Sequence, residues 1–121
     1  MKDVFYLCSK SVNIINIYAL FQINNIECKC FGEMGVIQIR KDKQFINLTL
    51  MRKEEFEDKD KKIFLEKGIR TIVCISYNTY SIEELKNILF VLLDNEGGLI
   101  GNDSDEFEPI LSISNIMEFQ F

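Results

Sequence analysis

A chain of 121 residues is long enough for one hydrophobic core and too short for two. Its 47% hydrophobic content, ten Phe included, excludes a disordered segment, and no apolar run reaches the roughly 20 residues of a membrane-crossing helix. A net charge of −5 argues against a nucleic-acid-binding face, and the absence of His removes the commonest general base.

Residues 4–8 read as a β-run, too short for the core of a signal peptide, so the chain is expected to be cytoplasmic. Ser11 is expected to cap a helix reaching about Asn24, with Ile14, Ile15, Tyr18, Phe21 and Gln22 in helical rhythm. Its β-branched residues lose rotamer freedom in a helix and weaken it. Three strands follow, at 26–31, Val36–Lys41 and 45–51, with turns at 32–35 and 41–44. Val36, Gln38 and Arg40 alternate with Ile37 and Ile39, and Phe45, Asn47 and Thr49 with Ile46, Leu48 and Leu50. That pattern suits an antiparallel meander with one wet face.

From Asp42 to Gly68 charge is dense, with seven residues of each sign. Phe56, Ile63 and Phe64 are spaced for one helical stripe, and Gly68 is placed to end it. Residues 69–77 predict a strongly apolar, central strand. Ser81 and Glu84 predict a capping box for a helix with Ile82, Leu85, Ile88, Leu89 and Leu92 buried and Gly97 as its stop. Phe90, Val91 and Leu93 make that helix apolar nearly all round, so it needs cover on more than one side. The order βα-βββ-αβα plus a tail predicts a single α+β domain over 1–121. Its sheet is mixed or mainly antiparallel, of about five strands, with two to three helices mainly on one face. A ferredoxin-like core with an added strand is one topology that fits.

Cys8, Cys28, Cys30 and Cys74 all lie in strand-like runs, and the closest pair is spaced Cys-x-Cys without a histidine. This favours free structural thiols over zinc or redox chemistry.

The acids are unevenly placed. Residues 1–93 hold 14 basic and 12 acidic groups; residues 94–121 hold seven acids and no Lys or Arg. Asp103, Asp105, Glu106 and Glu108 fall within six positions. An EF-hand loop starting near Asn102 would need a glycine where Phe107 stands and a glutamate where Ile113 stands, so no metal is expected. No nucleophile elbow or phosphate-cradling glycine loop is present, and no cofactor or catalytic residue is expected. Gly97, Gly98 and Gly101 follow a helix instead of opening one. An acidic loop with aromatics in and near it (Phe107, Phe119, Phe121) fits docking onto a basic protein, although Phe107 could equally pin the loop to its own core.

The stretch Gly97-Gly-Leu-Ile-Gly-Asn-Asp-Ser-Asp-Glu-Phe-Glu-Pro-Ile110 resembles a pattern in small bacterial proteins. There a helix ends in Gly-Gly, followed by two apolar residues, an Asn-Asp-x-Asp loop, an aromatic and an Ile. Some of these proteins look like immunity partners of polymorphic or contact-dependent toxins. The pattern often has a larger aromatic where this chain has Leu99. The resemblance implies a stoichiometric inhibitor whose Asn102, Asp103, Asp105, Glu106, Phe107 and Glu108 meet a basic partner such as a toxin domain, the carboxylates mimicking substrate phosphates. Two other expectations compete: a homo-oligomeric interaction module, a homodimer for instance, packed through the apolar helix at 82–93, and a divalent-metal-dependent enzyme or sensor using the acidic loop.

Overall fold

The computed structural model describes residues 1–118 and 121. Its elements are β1 (Lys2–Cys8), α1 (Ile14–Ile23), β2 (Lys29–Phe31), β3 (Val36–Lys41), β4 (Gln44–Met51), α2 (Asp58–Lys67), β5 (Thr71–Tyr77), α3 (Ile82–Glu96), β6 (Leu99–Asn102) and β7 (Ile110–Leu111). The class is α+β as expected. Among the described residues, however, the sheet is wholly antiparallel and has seven strands where about five are expected, in the order β2-β3-β4-β5-β1-β6-β7. The additional strands, β6 and β7, lie in the stretch that the sequence predicts as a tail. Strands β6-β1-β5-β4, with α1 and α3 crossing one face, have the order of a ferredoxin-like core. Strands β2 and β3 extend it past β4, and β7 past β6.

Helices α1 and α3 cover one face, where Val4, Tyr6, Ile37, Ile39, Ile46, Leu48, Val73 and Ile75 meet Ile17, Phe21, Leu85, Ile88 and Leu92. Helix α2 covers part of the other, where Phe5, Leu7 and Ile72 meet Phe64 and Ile69. Strand β1 is therefore buried on both sides from Val4 to Cys8. The second face stays open over β2–β4. There Gln38, Asn47 and Thr49 are half-buried and Arg40 is exposed, the predicted wet face.

Local details depart from expectation for identifiable reasons. Helix α1 is capped by Asn13, not Ser11: Asn13 Oδ1 accepts from the Asn16 backbone N–H at 2.8 Å, and Asn16 Oδ1 accepts in turn from the Asn13 N–H. Phe56 sits in extended chain before α2, although it packs on Phe64 as a helical neighbour would. Gly68 ends α2 in the left-handed region as expected. Ser81 forms no capping box. It is fully buried, and its Oγ accepts from Phe45 N–H at 2.8 Å and donates toward Asn78 Oδ1 at 2.7 Å, tying the start of α3 to β4.

Helix α3 receives its second cover from its own chain. Leu111 and Ile116 join the same core as Leu85, Ile88, Leu89, Val91, Leu92 and Leu93, leaving Phe90 as its exposed large apolar residue. A homo-oligomer packed through this helix lacks the exposed stripe it would need.

Because Ser81 acts as a tertiary anchor, Ser81→Ala is expected to cost about 1–3 kcal/mol by leaving the Phe45 N–H without its acceptor. Glu84→Ala, which removes the acceptor a capping box would need, is expected to stay within about 0.5 kcal/mol. Urea denaturation of both variants distinguishes the anchor from a capping box, in which the two would cost similar amounts.

Candidate functional site

The acidic stretch connects β6 to β7. Strand β6 pairs with β1, and Gly101 lies opposite both Phe5 and Ile110. Between the strands, residues 105–107 make one tight turn in which Glu106 (φ 58°) and Phe107 (φ 61°) both adopt the left-handed region. Neither is glycine, so each conformation carries strain of about 1–3 kcal/mol. The side chain of Phe107 offsets that strain. It is 3% exposed, with ring centroids 5.3 Å from Phe5, 5.4 Å from Phe64 and 6.1 Å from Phe56. Gly101 makes room beneath it: a Cβ there would lie 2.7 Å from the Phe107 Cβ. The Ser104 hydroxyl donates to the Glu108 carbonyl and closes the base of the loop.

This placement corrects one expected contact. Phe107 is committed to the second core and is not an anchor on the outer surface. Of the other predicted positions, Asp103, Asp105, Glu106 and Glu108 are exposed, and half-buried Asn102 ends β6 opposite Val4. Phe119 lies outside the described residues. Phe121 lines the same cleft as Asn102 and Asp103, its ring 6.2 Å from that of Tyr77.

Folding also brings in residues that the sequence reading did not connect with the loop. The N-terminus of α2 packs against the 105–107 turn, so Glu57 and Asp60 join the loop carboxylates around Lys59. Lys59 Nζ lies 2.8 Å from Asp105 Oδ1 and 3.7 Å from Glu57 Oε2. Its hydrogen bond to Asp105 holds that carboxyl below the usual aspartate range. Asp60 is pushed up, first by partial burial and then by Glu57, Asp105 and Glu106, with Lys59 opposing them. The resulting patch draws on two segments about 45 residues apart, which is why local spacing did not reveal it.

Among the described residues, no group of three or more Cys, Asp or Glu is placed to hold a metal ion. The four cysteines are unpaired. Burial, reinforced by Asp3, pushes the Cys74 thiol up to about 11, so it is not a thiolate near neutrality. No helix among the described residues is long and apolar enough to cross a membrane. Comparison of the chain with protein-family models, curated proteins and solved structures found no match in any of the three.

Two outcomes are expected from this geometry. Phe107→Ala should cost about 3–5 kcal/mol in chemical denaturation, the loss typical of a buried Phe, where an outward-facing Phe would cost little. In a carboxyl-detected NMR titration, Asp105 should titrate below and Asp60 above ordinary aspartate. Lys59→Ala should raise both midpoints, since Lys59 lowers each; unchanged midpoints would show that the lysine does not sit between them.

Proposed function

We propose that this chain is a non-enzymatic cytoplasmic binding protein, an immunity or antitoxin-like inhibitor that docks its acidic loop on a basic protein partner. The observation that carries this reading is the bracing of the loop. Asp103, Asp105, Glu106 and Glu108 project from a turn whose one aromatic is buried in the core. Glu57 and Asp60 widen the negative field, and Lys59 offsets only part of it. Grouping like charges costs folding stability, and a loop kept only for solubility gains nothing from a strained, aromatic-pinned backbone. A preformed carboxylate array meets a partner with little ordering cost and accelerates encounter with a basic cleft. The likeness of residues 97–110 to immunity-type proteins points the same way. The loop carboxylates supply the spread negative charge that a phosphate-binding cleft recognises.

The test is affinity capture from cells of the source organism. The baits are the native chain, an Asp105→Lys/Glu106→Lys variant, and a Lys41→Glu/Lys43→Glu control altered at the distant β3–β4 turn. A basic protein held by the native and control baits should be weakened at least tenfold by the loop variant, about 1.4 kcal/mol. Its retention should also fall with added salt. Equal retention of the same proteins by all three folded baits overturns the reading.

A further inference from the structure

The uncovered part of the second face ends at β2, and there the chain keeps two cations without acid partners. Alternation puts Gln38 and Arg40 on this face, because Ile37 and Ile39 fill the first core. The ladder sets Lys29 directly opposite Gln38, Phe31 opposite Val36 and Arg40 opposite Phe45. Lys29 and Arg40 are thus diagonal neighbours, with Cα atoms about 7–8 Å apart. Among the described residues neither forms an ion pair, and the half-buried side-chain amide of Gln38 between them has no hydrogen-bond partner. Arg40 Cζ lies 4.9 Å from the centroid of the Phe45 ring, a stacking that holds the guanidinium and leaves its N–H edges free. Phe31 is 41% exposed on the same side of β2 as Lys29. Glu27, Lys29, Phe31, Gln38 and Arg40 line one open cleft of about 420 Å³.

We infer that this cleft binds a small organic anion bearing an aromatic ring, its carboxylate or phosphate held between Lys29 and Arg40 and its ring laid against Phe31. Successive rows of side chains on one face of a strand are about 6.8 Å apart. Arg40 and Lys29 stand in two successive rows, and Phe31 with Val36 forms the third. A charged head joined directly to a ring spans that spacing, so one molecule reaches the cations and the apolar row together. Arg40 offers paired N–H donors, Lys29 a point charge and Gln38 an amide N–H, a set from which a carboxylate or phosphate accepts. The volume lies within the range of small-molecule sites. A neutral ligand would leave two neighbouring cations uncompensated, which a sheet face disfavours. Glu27 fits the same account: continuing the β2–β3 register places it opposite Arg40, where it forms no ion pair and opposes the anion. The cleft belongs to the β2 edge of the sheet and the acidic loop to the β7 edge, so this inference does not rest on the docking reading.

Calorimetry and amide-detected NMR on the whole chain test this with phenyl phosphate and benzoate, each to about 10 mM, a range that covers the dissociation constants of ligands this small. Inorganic phosphate and acetate serve as the heads alone, and benzyl alcohol as a neutral ring. At least one aryl anion should bind more tightly than its head and than benzyl alcohol, and should shift the amide signals of Lys29, Gln38 and Arg40. A preference between the two assigns the head group. Lys29→Gln and Arg40→Gln should each weaken binding about tenfold, the loss of one charge-assisted contact. Phe31→Ser should reduce the aryl anion to the affinity of its head. Glu27→Gln should strengthen binding about threefold by removing a nearby like charge, whereas Lys67→Gln at the end of α2 should leave it unchanged. All these positions are exposed, and circular dichroism confirms that the variants fold. Silence of both aryl anions, binding no tighter than the heads alone, or affinity unmoved by both Lys29→Gln and Arg40→Gln would each overturn the inference.

Discussion

Strand β1 has both faces buried, and most of the molecule follows from satisfying that condition. Val4, Tyr6 and Cys8 point to one side and Phe5 and Leu7 to the other, and all are 9% exposed or less. One side is covered by α1 and α3 in the usual manner of a two-layer α+β domain. The other has only ten-residue α2, which is mostly charged and contributes Phe64 as its fully buried side chain. The remaining cover comes from the loop after β6: Phe107 fills the space above Phe5 that Phe56 and Phe64 leave open. Edge-to-face contacts of this kind contribute about 0.5–1.5 kcal/mol each beyond area burial. The acidic loop is thus anchored to the second core through Phe107, while its carboxylates stand exposed around it.

That arrangement settles the sign and reach of the local field. The carboxylates around Lys59 are solvent-exposed, so salt screens them within about 10 Å at ordinary ionic strength. They contribute little to stability by pairing, because exposed ion pairs seldom do. Their field is directed outward, into solvent. Asp60 is raised by partial burial and then by the carboxylates near it, whereas Asp105 is lowered by its hydrogen bond to the lysine.

Much of this fold was legible in the sequence where periodicity was strong. The β3–β4 meander, the central strand β5, the Gly68 stop and long α3 follow from alternation, apolar runs and a terminator. What escaped was decided by distant partners. Ser81 has the spacing of a capping box, but Phe45 and Asn78 compete for its hydroxyl and prevail because the site is buried. Strand β6 is four residues of Leu-Ile-Gly-Asn preceded by Gly97 and Gly98, and its strand character comes from pairing with β1. Gly98 illustrates the same point: a Cβ there would lie 2.7 Å from the Leu7 carbonyl oxygen, so this glycine serves close packing against β1. The four loop carboxylates could be read as a cluster from spacing alone. Glu57, Lys59 and Asp60 could not, because only the docking of α2 places them there.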